Sequence, residues 1–290
     1  MILRSQARVV LLGIATLLLG AATALATPGT VGYDVSYPQC EIALPPSASF
    51  AIVGVNGGLA NDPNPCLVQQ LMWAVSAPGL RRAGLPGVSL YLNAADPGDD
   101  VADWPSPGAG TATAKTPYGT CDGSWSRACA FTYATSRAAY SYALAATAAP
   151  AATAMALPVA ASAPWWIDVE TGASWATRSG SREWAQLNVA ALRGYLAGLR
   201  AAGARGPVGL YSDAYQWRAI TGLAPRASGA YFSHAIHDWV SGSTSLARAR
   251  RACARAFSGS AVTIAQFTEG AYDRDYACPA LRRRAARRRG

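Results

Sequence analysis

Seven short apolar runs recur along the chain, and most of them do not alternate apolar with polar residues. They are VGYDVS (31–36), FAIVGVNGG (50–58), VSLYLNAADPG (88–98), PWWIDVET (164–171), PVGLYSDA (207–214), HAIHDWV (234–240) and AVTIAQFTEG (261–270). A sheet with one wet face needs alternation, whereas a strand covered on both faces, as in a parallel sheet, reads as a continuous apolar run. Parallel neighbours cannot be joined by a tight turn, so longer crossovers, usually helices, must fill the gaps. The best helical gap is 181–203, where Trp184, Leu187, Ala191, Tyr195 and Leu199 form a stripe at spacings of three and four. Ser181 can cap its start and Gly203 can end it. Stretches 64–84, interrupted at Pro78, and 128–148 read as two further helices. The expected fold class is α/β, a single (β/α)8-like, TIM-type barrel with fewer or less regular helices than the ideal. Residues 97–127 read as a long Gly/Pro/Ser/Thr-rich loop and 148–164 as a looser alanine-rich stretch.

The two ends differ from this body. Residues 1–26 read as a signal peptide: Arg4 and Arg8, an apolar core Val9–Gly20, and small residues Ala24–Ala26 before Thr27. Residues 27–280 then form the barrel domain and 281–290 a basic, disordered tail. The formal charge is +9, but six arginines (282–284 and 287–289) lie in the tail and two in the signal. The 25 basic residues less these eight leave 17 against 16 acidic ones, so the body is near neutral. That argues against a nucleic-acid-binding domain, since the basicity is a tail rather than a patch, and no stable membrane insertion is expected once the signal is cleaved. A secreted monomer, extracellular or associated with the cell wall, is expected. Cys40, Cys66, Cys121, Cys129, Cys253 and Cys278 are an even set in an exported chain, which argues for disulfides. Six cysteines allow about 15 pairings; neighbour order favours Cys40–Cys66, Cys121–Cys129 and Cys253–Cys278. No metal site is expected, since there is no CxxC and His234 and His237 are the only histidines. The glycines of VNGG lack a phosphate-loop context, and no cofactor is expected.

Acids are scarce, yet they gather where parallel strands end: Asp34, Asp96, Asp168 with Glu170, Asp213, Asp238, and Asp273 with Asp275 after the seventh run. In a barrel those ends form the face that carries active sites. Asp168 and Glu170 stand two apart on one strand, so both leave the same face with Cα atoms about 6.5 Å apart. Two like charges held close in a partly apolar site cannot both ionise easily, and one pKa rises. A carboxylic acid so tuned can protonate a leaving group near neutral pH, and paired carboxylates of this kind hydrolyse glycosidic bonds.

The chain also resembles glycoside hydrolase family 25, the lysozyme-like muramidases. GYDVSYPQC resembles the family's opening G-x-D-V-S-x-x-Q strand, WWIDVET its D-x-E strand, GLYSDAYQW its G-x-Y-S strand and IAQFTEGAYDRDYAC its final W-Q-Y-T…D segment, all in the family's order. The resemblance implies a barrel that cleaves the β-1,4 link between N-acetylmuramic acid and N-acetylglucosamine. It places the family's acid on Glu170 and its other site carboxylates on Asp34, Asp168 and Asp275. Tyr91, Tyr211, Trp217 and Trp239 become candidates for stacking on sugar rings, and Gln266 for holding hydroxyls. Peptidoglycan or another amino-sugar polysaccharide is the implied partner. The chain departs from the pattern at Pro38, Gly57, Asn93 and Ala265. These departures bear on the substrate subsites more than on the acid, and they motivate a second reading: a barrel of weakened or lost activity that binds cell-wall polysaccharide.

Overall fold

The computed structural model describes residues 31–80, 85–98, 115–122, 125–152, 159–176, 182–228, 232 and 236–279. The signal segment, the arginine tail, Ser181 and His234 lie outside the described residues. The elements, in order, are β1 (Val31–Val35), β2 (Ala51–Gly54), α1 (Leu67–Ala74), β3 (Val88–Asn93), β4 (Lys115–Thr116), β5 (Gly119–Thr120), α2 (Arg127–Ala152) and α3 (Val159–Ser162). They continue with β6 (Trp165–Asp168), α4 (Arg182–Ala202), β7 (Val208–Ser212), α5 (Ala214–Thr221), α6 (Pro225–Ser228), β8 (His237–Ser243), α7 (Leu246–Ala252), β9 (Ala261–Glu269) and β10 (Tyr272–Ala277). A 3-10 turn, Tyr37–Gln39, follows β1. Eight strands close a barrel in the order β1-β10-β9-β8-β7-β6-β3-β2, while β4 and β5 form a separate hairpin. The TIM-like α/β barrel expected from the apolar runs is therefore present.

One strand departs from the expectation. All seven sequence runs supply mutually parallel strands, but β10 pairs antiparallel with both β9 and β1. Its sequence, YDRDYA, carries three charges and gave no apolar run. It follows β9 after a turn of two residues, too short for the crossover that a parallel partner would need. Asp273 and Asp275 thus lie within the eighth strand rather than after the seventh, and because the strand runs away from the mouth, Asp275 is the deeper of the two.

The two-residue period of the strands sorts the core into two layers. In β6, Trp165 faces outward, its indole stacking on Tyr142 of α2 and donating to the Ala160 carbonyl at 2.8 Å. Trp166 faces inward with Phe50, Ile52, Leu85, Tyr211, Trp239, Ile264 and Ala277. The ring of Trp166 lies against Gly209 of β7, where a Cβ would approach Trp166 Cζ3 to 2.2 Å. A side chain at 209 would expel the indole from the barrel floor.

The helix expected at 181–203 runs as α4, with Leu187, Ala191, Tyr195 and Leu199 buried, and Gly203 at φ 116° ends it. The helix expected over 64–84 is shorter, since α1 stops at Ala74 ahead of Pro78. The stretch expected at 128–148 is α2, extending to Ala152. All three disulfides join sequence neighbours, Cys40–Cys66, Cys121–Cys129 and Cys253–Cys278. They tie the turn after β1 to the start of α1, the β4–β5 hairpin to α2, and the end of α7 to the end of β10. No helix among the described residues is long and apolar enough to cross a membrane.

Candidate active site

The parity that sends Trp166 inward also sends Asp168 and Glu170 to the barrel mouth, on the C-terminal side of the parallel strands. Register brings their partners alongside: Asn93 of β3 pairs with Asp168, Asp168 with Tyr211 of β7, and Tyr211 with Trp239 of β8. Across the barrel, Asp34 of β1 pairs with Asp273 of β10. Asp34, Asp168, Glu170, Tyr91, Tyr211, Trp239 and Gln266 line one open cleft of about 320 Å³. Tyr37, Asn93 and Asp273 join them on its walls. Asp275 does not line the cleft; it is fully buried beneath it, where the Trp239 indole donates to its Oδ1 at 2.8 Å.

The acids sit in different hydrogen-bonding settings. The Tyr211 hydroxyl donates to Gln266 Oε1 at 2.8 Å, and the Gln266 amide donates to Asp34 Oδ2 at 3.1 Å. Burial, helped by the charge of Asp273, pushes the Asp34 carboxyl up to about 7, although the hydrogen bonds from Gln266 and Asp275 oppose the rise. Burial and the Asp34 charge also hold Asp275 well above the usual carboxylate range, so this pair retains a proton near neutrality. Asp168 is half-buried as a residue, but its Oδ1 is closed off from solvent with no hydrogen-bond partner. With its amide nitrogen turned to the carboxylate, Asn93 donates to Asp168 Oδ2 at 2.9 Å and accepts from the Gly58 N–H at 3.3 Å. Burial first, then the charges of Glu170 and Asp34, raise the Asp168 pKa well above its ordinary value. The rise that the paired-carboxylate argument requires therefore falls on Asp168.

Glu170 is partly exposed and held by one donor, Gln216 Nε2, at 3.1 Å from its Oε1. The orientation of that amide is fixed, because Gln216 Oε1 accepts from the Thr171 N–H at 2.8 Å and the Thr171 hydroxyl at 3.1 Å. The strand end is fixed too: the Trp175 indole and the Ala173 N–H donate to the Glu170 carbonyl at 2.9 and 3.2 Å. One carboxyl oxygen of Glu170 is thus anchored and the other is available to a ligand in the cleft.

Several expected site residues sit elsewhere. Trp217 is not a sugar platform: it is buried against Phe232 and Phe257, outside the strands. Trp239 is only 1% exposed, with Tyr91, Tyr211 and Trp166 packed on it, and forms the cleft floor rather than an open stacking face. Asp238 lies near the start of β8, not its end, and accepts from the backbone N–H groups of Phe257 and Ser258 at 2.9 and 3.0 Å. Asp96 accepts from Gly98 and Ala176 N–H groups, and Asp213 caps α5 through Tyr215 and Gln216 N–H groups. Asn93, Gln216 and Tyr37 were not singled out as site residues by sequence. Only Asn93 gave a signal, as a departure from the family pattern at the end of the third strand.

No family model matches this sequence, and no curated protein is significantly similar to it. Among solved structures, the chain resembles the bacterial lysozyme from Streptomyces coelicolor at 16% identity, covering 87% of this chain and 93% of that one with a TM-score of 0.49. It also resembles the Clostridium perfringens spore cortex lytic enzyme SleM at 12% identity, covering 88% of this chain and 69% of that one with a TM-score of 0.50. Likeness at such identities speaks to the fold alone.

Proposed function

We propose that this protein is a glycoside hydrolase that cleaves β-1,4 bonds of peptidoglycan or a related amino-sugar polymer, with Glu170 as the proton donor. The observation that carries the reading is the meeting of Asp34, Asp168 and Glu170 in one open cleft at the C-terminal end of the parallel strands. Glycosidic cleavage needs a proton for the departing oxygen and negative charge for the oxocarbenium-like carbon. Glu170 has a free carboxyl oxygen on the open side, where a leaving group would sit. Asp168, two residues deeper than Glu170 and held by its register partner Asn93, orients an acetamido group or stabilises the positive carbon once it has lost its proton. Asp34, with Asp275 below it, tunes the charge of the cleft, while Tyr91, Tyr211 and Gln266 position sugar hydroxyls.

In the test, Glu170→Gln is expected to abolish the turbidity loss of purified cell walls with little change in Tm. Equal activity in wild type and variant would remove the assignment. One observation favours exchanged roles within the same reaction: the raised pKa falls on Asp168, which would make Asp168 the donor and Glu170 the stabilising charge. An aryl glycoside with an activated leaving group separates the two, because cleavage then needs no proton. Such a substrate is expected to restore Glu170→Gln and not Asp168→Asn; the reverse pattern exchanges the roles.

A further inference from the structure

A second cleft of about 500 Å³ lies on the outer flank of the barrel and shares no residue with the mouth. Its walls are the α4 residues Ala185, Gln186, Val189 and Arg193, the segment Thr221–Leu223 ending α5, Tyr118 in the β4–β5 turn, and Arg127 at the start of α2. Two guanidinium groups converge on the Tyr118 ring, with Cζ of Arg127 at 5.1 Å and Cζ of Arg193 at 5.5 Å from its centroid. Arg193 Nη1 also donates to the Tyr118 hydroxyl at 2.9 Å. Among the described residues neither arginine has a carboxylate within ion-pair distance. Two cations on one ring repel each other, and Arg127 begins α2, where the helix dipole adds positive potential.

The arrangement is preformed. Tyr118 packs edge-on against Phe131 of α2, its N–H bonds Thr116 Oγ1 at 3.0 Å, and the Cys121–Cys129 disulfide ties the hairpin to α2. The opposite wall is apolar at Ala185, Val189 and Leu223, and the Thr221 hydroxyl is engaged by the Trp217 carbonyl and the Leu223 N–H. The geometry points to an oxyanion-binding site, in which a carboxylate or phosphate on an apolar body lies between Arg127 and Arg193 with that body along Val189 and Leu223. Guanidinium forks suit both oxyanions, and aromatic backing orients them. The site would hold the protein on an anionic polymer whatever chemistry takes place at the mouth.

The test is calorimetric titration of the mature chain with two probes that carry no amino sugar for the mouth: a glycerol-phosphate oligomer and a short acidic peptide. The variants are Arg193→Ala and Arg127→Glu; Arg127 is exposed, so its replacement leaves the core intact even if Arg193→Ala loosens Tyr118. Wild type is expected to bind at least one probe, and both variants about tenfold or more weakly. The probe that binds identifies phosphate or carboxylate as the source. No binding of either probe at millimolar concentration, or binding that Arg127→Glu leaves unchanged, overturns the proposal.

Discussion

The carboxylates of the barrel mouth and those elsewhere around the barrel look alike in sequence, each an acid beside a short apolar run, yet the fold treats them oppositely. Asp96, Asp213 and Asp238 each receive two backbone N–H groups and hold loops or a helix start in place. The mouth acids receive none from any other residue; Asp34 has only its own N–H. Asp34 has the Gln266 amide, Asp275 the Trp239 indole, Asp168 the Asn93 amide, and Asp168 Oδ1 has nothing. Burial alone does not separate the groups, since it lifts Asp238 to about 6 even with the Ser258 and Phe257 donors pulling it down. Paired backbone donors from other residues do separate them: they commit an acid to structure, and without them it keeps a proton or a lone pair to use.

Substitutions can break this division. The largest expected effect is at the mouth, where Glu170→Gln should lower the turnover of cell-wall material by about a thousandfold or more, roughly 4 kcal/mol of transition-state stabilisation, with Tm unchanged. Asp238→Ala should do the converse. It strands two buried N–H groups and the Ser258 hydroxyl, costs about 3 kcal/mol by denaturant unfolding, and leaves activity near wild type below the melting range. A Glu170→Gln enzyme that melts early, or an Asp238→Ala enzyme that is stable and inactive, would erase the distinction.

Asp34→Asn should stabilise. An acid ordinarily at 3.8 and raised to about 7 in the fold favours the folded state only while both forms are protonated. As pH rises through 4 the unfolded chain ionises first, and stability falls until about pH 7. The variant should therefore gain up to about 4 kcal/mol at pH 8 and nothing at pH 3.5 in urea titrations, while losing activity. The smallest effect is Asp213→Ala, the loss of one helix cap, at about 1 kcal/mol. Because that residue also faces Gln216 Nε2 at 3.4 Å, the variant sharpens the comparison: a shift in the pH–rate profile of Asp213→Ala would join this brace to the mouth.

The sequence by itself determined the parallel strands, because residues covered on both faces must be apolar on both. It determined the α4 stripe and the shared face of Asp168 and Glu170, which follows from the two-residue period alone; the cysteine pairing it only suggested, through neighbour order. It could not show β10, whose YDRDYA has the alternation and charge of a polar edge and becomes an interior strand only because β1 and β9 bond both its sides. Nor could it rank Asp273 above Asp275, since depth depends on strand direction. Trp217 on helix α5 packs outside the strands, whereas Trp239 on β8 faces the barrel interior. The roles of Asn93 and Gln216 come from partners 75 and 46 residues away in sequence, Asp168 and Glu170 respectively. Local periodicity fixes which way a side chain leaves its own strand; which donors reach it from other strands is decided only when the barrel closes.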